Sequence, residues 1–300
     1  MIERFYKLCR MSQRDLKEYV AEELNKTYAY VRNDKGFVFA QGEFPVLLVA
    51  HLDTVHKDLP EAIMYDSQNH SISSPNGIGG DDRCGIYMIF EVIKKFNCSV
   101  LFCEDEEIGA IGARQFVTTQ LAKESEFNYI IEFDRKGNND AVFYDCDNPE
   151  FEEFITKEFY KTAYGSFSDI SVLAPVLGCA AVNLSCGYYK AHTKDEYVVY
   201  PEMLKSIEEA CKILERTTED DKFEYIECEY DGFGFDSSWY GKGNYDTKYY
   251  LFQYVDEKGK EDWFEVDDVT SFEEAIGMFC INHPNLSFNN IVDVYEDNYV

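Results

Sequence analysis

The 300-residue chain is 45% hydrophobic and 16% aromatic and carries a formal net charge of -29 at pH 7. That apolar content can bury at least one sizeable core, whereas the charge excludes nucleic acid or an anionic membrane as a partner, since both would be repelled. No apolar run approaches the roughly 18 residues needed to span a bilayer. The opening Met1-Ile2-Glu3-Arg4-Phe5-Tyr6-Lys7 lacks the apolar stretch of a secretory signal, and ten irregularly spaced cysteines resemble neither a disulfide framework nor a zinc ribbon. A reduced, cytoplasmic protein is expected.

In chain order, Ser12 to Lys26 has helical spacing, and Tyr28 to Val31 with Gly36 to Ala40 predicts a hairpin across Asn33-Asp34-Lys35-Gly36. Apolar strands are predicted at Val46 to Ala50, Ser99 to Cys103, Tyr129 to Phe133 and Ala180 to Leu184. Helices at Cys84 to Lys95, Ala110 to Thr119 and Pro149 to Ala163 precede the last three strands, and Pro201 to Arg216 closes the series. This alternation predicts an α/β fold with a largely parallel, helix-covered sheet. Composition shifts near residue 218: Glu219 to Val300 holds 21 acidic and 5 basic side chains, yet is dense in aromatics, as in Tyr249-Tyr250-Leu251-Phe252-Gln253-Tyr254. Residues 1–218 and 219–300 are therefore expected to be separate domains, with Thr217 to Asp221 as linker. In the second, strands Lys248 to Val255 and Asp262 to Val266, and a helix through Phe279 opened by a Ser271/Glu274 capping box, predict a small α+β module.

Polar residues with chemistry cluster where the apolar strands end, which is where open α/β sheets present their ligand-binding groups. His51 and Asp53, two apart, share one strand face, and a metal-bound imidazole commonly donates its second ring nitrogen to a carboxylate. In Asn76-Gly77-Ile78-Gly79-Gly80-Asp81-Asp82-Arg83 the glycines permit a tight path into a helix, with Asp81 either a hard oxygen ligand or an ordinary N-cap. Glu104-Asp105-Glu106-Glu107 is either a solvated charge run or, given Gly109, Ala110, Gly112 and Ala113, a packed carboxylate cluster that needs cations to offset its repulsion. Asp134 ends the next strand, with Glu132 as a rival ligand and Arg135 or Lys136 as possible ion partners. His192 taken alone reads first as structural. His56 lies beside the metal strand but off its pattern, His70 and His283 read as surface-loop residues, and Cys84 and Cys103 as packing residues more than soft ligands.

Taken together, Ala50-His51-Leu52-Asp53-Thr54-Val55, Gly80-Asp81-Asp82-Arg83-Cys84-Gly85, Asp105-Glu106-Glu107-Ile108-Gly109, Phe133-Asp134 and Ala191-His192 resemble, in this order, the co-catalytic zinc peptidase superfamily. That superfamily contains zinc aminopeptidases, the tripeptidase and carboxypeptidase group, and aminoacylases, and the resemblance covers roughly residues 1–216. It implies a mostly parallel mixed sheet with helices on both faces. It also implies two divalent metal ions, zinc or alternatively cobalt or manganese. Asp81 would bridge the ions, with His51 and Asp134 completing one site and Glu107 and His192 the other. Glu106 would be the general base of amide hydrolysis, Asp53 would orient His51, and the Asp81–Asp82 peptide would be cis. The short intervals from His51 to Asp81 and from Asp134 to His192 leave no room for the inserted lid or dimerisation domain of many relatives. The Asp82-Arg83 pair is similar to that of the tetrahedral, self-assembling aminopeptidases.

For substrate, an acid-rich pocket favours the free amino terminus of a short peptide, with Asp169 as a candidate contact. A carboxypeptidase or N-acyl amino acid deacylase would instead want an arginine for the substrate carboxylate, and Arg83 or Arg135 is a candidate. The remaining alternative is a catalytically silent metal-binding adaptor whose C-terminal module recruits a protein partner.

Overall fold

The computed structural model describes residues 2–165, 167–228, 248–256, 258–269, 272–283, 286 and 290–298. The chain divides into two compact units, Met1–Tyr164 with Ser168–Glu227, and Gly165–Phe167 with Cys228–Val300.

The first unit begins with α1 (Ile2–Cys9) and α2 (Gln13–Leu24), the latter capped by the Ser12 side chain accepting from the Asp15 N–H. Then follow β1 (Val31–Asp34), β2 (Phe37–Ala40), β3 (Phe44–His51), β4 (Met64–Asp66), β5 (Ser71–Ser73) and α3 (Gly80–Val92). Next come β6 (Cys98–Cys103), α4 (Ile111–Val117), α5 (Gln120–Glu124), β7 (Tyr129–Arg135), β8 (Asp140–Val142), α6 (Pro149–Thr156) and β9 (Lys161–Ala163). The unit's last elements are α7 (Asp169–Leu177), β10 (Ala181–Ser185), β11 (Tyr188–Tyr189), β12 (Tyr197–Val199) and α8 (Tyr200–Arg216).

Eight strands form one mixed sheet in the order β1-β2-β6-β3-β7-β10-β8-β9. The run β6-β3-β7-β10 is parallel throughout, as the alternating pattern predicts. After β3 the chain adds β6 on one side and later β7 on the other, so the strand order reverses at β3. The carboxyl ends of these three strands open onto that switch point, the usual ligand crevice of an open α/β sheet. Register brings His51 opposite Cys103 and Val49 opposite Glu132.

Both faces of the sheet are covered, for the reason the continuous apolar strands imply. Val46, Leu48 and Ala50 point into one large core with Leu8, Val20, Ile86, Ile89 and Leu214 of the helices. The intervening Leu47 and Val49 are equally buried but face the other side. On that second side Phe116 of α4 packs against Phe37 and Phe39 at centroid distances of 5.2 and 5.5 Å. Helix α3 lies so close to the sheet that a Cβ on Gly85 would stand 1.9 Å from the Phe133 carbonyl oxygen. A smaller sheet, β11-β12-β5-β4, was not predicted. It is built from the segments after His51 and after Ser185, whose strands are too short to produce a visible apolar pattern.

Three other expectations change. The helix predicted from Pro149 to Ala163 ends at Thr156, because Lys161–Ala163 pairs with β8 as a strand. The hairpin is shifted along, pairing Val31–Asp34 with Phe37–Ala40 around Lys35 and Gly36, whose φ of 87° suits glycine. The first unit also continues through Phe223, whose ring packs on Tyr129, Phe151 and Phe154. The intervals expected to lack a lid hold only short strands and helices: β4 and β5 between His51 and Asp81, and β8 to β11 with α6 and α7 between Asp134 and His192.

The second unit contains β13 (Lys248–Val255), β14 (Glu261–Val269), α9 (Phe272–Asn282) and β15 (Ile291–Asn298). β13 is the central strand of an antiparallel sheet, between β14 and β15. Tyr250, Phe252, Val266, Ala275 and Phe279 form its core, as expected of a small α+β module. His283, expected at the surface, is half-buried against Phe279 and Tyr254 because its ring stacks on the helix end. The Ser271 cap lies outside the described residues. Among the described residues no helix is long and apolar enough to cross a membrane.

Candidate metal centre

His51 closes β3, Glu106 and Glu107 follow β6, Asp134 lies near the end of β7, and Asp81 sits where the glycine turn enters α3. The Asp81–Asp82 peptide is cis, and both residues have non-helical backbone angles within the first turn. Tertiary partners divide the four-acid run after β6. Glu104 is held by Lys17 and by the Gly36 N–H at 2.9 Å, and Asp105 by Gln13 at 2.9 Å. Glu106 and Glu107 instead turn inward, where their backbone N–H groups donate to Asp53 at 3.0 Å each.

The resulting geometry is compact. His51 Nε2 lies 2.9 Å from Asp81 Oδ1 and 3.4 Å from Asp134 Oδ1, while His192 Nε2 lies 3.1 Å from Asp81 Oδ2 and 3.2 Å from Glu107 Oε1. Each oxygen of Asp81 therefore faces a different histidine. Two groupings have ligand atoms within 4.8 Å of one another, His51/Asp81/Asp134 and Asp81/Glu107/His192, and a third joins His51 with Glu106 and Glu107. Asp53 accepts from His51 Nδ1 at 3.2 Å, so the other ring nitrogen is directed at Asp81 and Asp134.

Electrostatics reflect this crowding. Burial pushes the Asp134 carboxyl up to about 7, helped by the charge of Asp81 and opposed by His51. Burial likewise raises Glu106 well above the usual carboxylate range, and raises Glu107 with the charge of Asp81 adding to it. For Asp81 burial also acts upward, but hydrogen bonds from His192 and His51 outweigh it and hold the carboxyl far below its ordinary value. Burial would lower His51, yet Asp134, Asp53 and Asp81 together keep it well above a free imidazole. The pocket holds more carboxylates than its two imidazoles can balance, an arrangement that bound cations would relieve.

Other candidates lie elsewhere. Arg83 is 1% exposed and donates to the carbonyls of Leu52 and Asp53 at 3.0 and 2.8 Å, so it braces the loop after β3 and is not a substrate contact. Asp169, the first residue of α7, is 0% exposed and lies beside Cys103, within the influence of His51, Asp53 and Asp134. Glu132, the rival ligand, is buried and accepts from Ser168 Oγ. Cys84 and Cys103 are buried thiols whose pKa burial raises well above normal, in keeping with packing roles.

Three contributors escaped sequence reading. Asp82 accepts from the His51 N–H at 3.2 Å and the Gly85 N–H at 2.9 Å, and Asn183 accepts from the Asp134 N–H at 2.9 Å. Glu196 binds the turn that carries Asp81, with 3.0 Å between its Oε1 and the Asp81 nitrogen. A lone polar residue inside the apolar run Ala180 to Leu184 was the available signal for Asn183.

The mixed sheet thus gathers histidines and carboxylates, donor types that suit a metal ion, at its switch point. The chain matches peptidase family M28 over residues 38–172. In fold it is similar to aminopeptidase PepT from Bacillus cereus, with a TM-score of 0.58 at 14% identity over 71% of this chain and 97% of that one. It is similar also to an aminopeptidase from the archaeon Desulfurococcus kamchatkensis (0.58, 16%, covering 72% and 95%) and a tripeptidase from Staphylococcus aureus (0.56, 13%, covering 71% and 96%). At such identities the likeness is one of fold. Among curated proteins none matches.

Proposed function

We propose that the chain is a two-metal aminopeptidase that removes residues from the amino end of short peptides. The observation that carries this reading is the sharing of Asp81 between His51 and His192, with Asp134 and Glu107 completing the two groupings. Mixed imidazole and carboxylate donors suit zinc, with cobalt or manganese as alternatives. Bound ions would supply Lewis acidity toward the scissile carbonyl and would ease deprotonation of the attacking water.

The chain's own residues supply positioning and proton transfer. Asp53 keeps His51 Nε2 directed inward and anchors the loop of Glu106 and Glu107 through their N–H groups. Glu106, outside the two groupings built on Asp81, is assigned as the general base: it takes the proton of the attacking water and returns it to the leaving amine. Glu107 serves as a ligand. Adjacent acids thereby divide two tasks that one side chain could not perform together.

An amino-terminal substrate is favoured because the two arginines considered for a substrate carboxylate are engaged. Arg83 is bound to backbone carbonyls, and Arg135 pairs with Asp140 at 3.3 Å. Turnover of an aminoacyl anilide but not of its N-acetyl form is expected. Turnover of the blocked substrate alone would replace this reading with the deacylase. Absence of both activities in protein loaded with zinc or cobalt would favour a silent metal-binding adaptor. The acidic C-terminal unit is proposed to be an accessory module, with protein recruitment as one possible role.

A further inference from the structure

Glu196 is fully buried, four residues beyond His192 in the chain. Its Oε2 accepts from the Gly79 N–H at 2.7 Å and lies 2.7 Å from His56 Nε2, while its Oε1 accepts from the Asp81 N–H at 3.0 Å. One carboxylate thus joins three segments of the centre: the loop after His51, the glycine turn before α3, and the turn that carries His192. A buried carboxylate needs such partners, since unpaired it would be strongly destabilising.

The turn it grips has little freedom of its own. Gly77 has a φ of 90°, and a Cβ there would fall 2.1 Å from His56 Cε1. A Cβ on Gly80 would stand 2.7 Å from Val198 Cγ2 and 3.3 Å from Glu196 Oε1. Asp81, with a non-helical φ of -81° and ψ of 103°, stands in the first turn of α3, where an N–H has no acceptor within the helix, and Glu196 meets it instead. On the other side, His192 has a φ of 63° and Lys190 of 55°, left-handed values that a side-chain-bearing residue holds only under tertiary constraint. The Glu196 N–H closes that turn on the Thr193 carbonyl at 3.1 Å.

We infer that Glu196, locked by His56, is a positioning residue: it sets the Asp81 carboxylate between His51 and His192 and ties the His192 turn to the same frame. The inference rests on the two-metal reading above only for its consequence in metal binding. The placement of Asp81 against the two imidazoles can also be tested by itself, in protein stripped of metal with a chelator.

The test uses the full-length chain. Glu196→Gln keeps the volume but turns an amide toward two backbone N–H donors. Two measurements follow: zinc titration against a chromophoric chelator, and histidine side-chain NMR of the metal-free protein, tractable because the chain has only five histidines. Expected are a zinc affinity at least about tenfold weaker and displaced ring signals of both His51 and His192 in the folded variant. A folded variant with wild-type zinc affinity and unmoved His51 and His192 signals would overturn the inference, even if its melting temperature fell. Should Glu196→Gln fail to fold, His56→Ala, at the less buried end of the clasp, is judged by the same two measurements. A wild-type protein that binds no zinc would refute the two-metal reading, whereas the metal-free histidine signals would still decide the role of Glu196.

Discussion

Replacing Asp53 by asparagine changes almost no volume but removes a charge and one acceptor from a site with three donors. Wild-type Asp53 accepts from His51 Nδ1 at 3.2 Å and from the N–H groups of Glu106 and Glu107 at 3.0 Å each. An amide offers a single acceptor oxygen, so at least one buried donor must face an NH2 group. A buried donor left unmatched costs about 1–3 kcal/mol, and loss of the charge from the surviving bonds adds to this, giving about 2–4 kcal/mol for the metal-free protein. Burial alone would raise the Asp53 carboxyl, but His51 and the two N–H donors hold it below the usual range. Its stabilisation is therefore present above about pH 4 and is lost as pH falls through the depressed folded value. Urea unfolding at pH 7 measures the first quantity and zinc titration the second, where a loss of about 10–100-fold is expected from the misdirected imidazole and loop. Wild-type unfolding energy together with zinc affinity within a factor of two would refute the proposed role.

Three further outcomes follow from the same geometry. Glu106→Gln should lower amide hydrolysis by about 10²–10⁴-fold while zinc stoichiometry stays unchanged, and undiminished turnover would remove Glu106 as the base. Because burial raises Asp134 to about 7 and raises Glu107 and Glu106, these groups favour the metal-free fold while protonated, fully so below about pH 4. That contribution declines as pH rises through about 7 for Asp134, so the zinc-induced rise in melting temperature should grow between pH 5.5 and 8; a flat or shrinking rise would contradict it. Gly85→Ala should cost about 3 kcal/mol in urea unfolding, because the new methyl meets the Phe133 carbonyl at 1.9 Å and neither backbone can yield; a loss below about 0.5 kcal/mol would be incompatible with the tight seat of α3.

The parallel core was legible because its strands are buried on both faces and so appear as unbroken apolar runs, from Val46 to Ala50 and from Tyr129 to Phe133. The smaller sheet and the strand at Lys161–Ala163 were not, since elements of two or three residues carry no period and depend on their partners. His51, Asp81, Glu107, Asp134 and His192 stood out as chemistry-bearing residues at strand ends or beside glycine turns. Arg83 was singled out by proximity in sequence and Asp169 as an acid suited to a substrate ammonium, and neither ground tells whether a side chain faces the pocket or the core.

What the sequence by itself determined was the alternation of apolar strands and helices, and with it the crevice at the strand ends where polar residues must gather. Only the tertiary structure decided which acids enter that crevice. In Glu104-Asp105-Glu106-Glu107, Lys17 and Gln13 hold the first two aside, and Asp53 draws the backbone of the second two inward. The bond from Glu196 to the turn of Asp81 spans 115 residues of chain. Local spacing carries no record of such a contact, because it exists only after the sheet has brought the segments together.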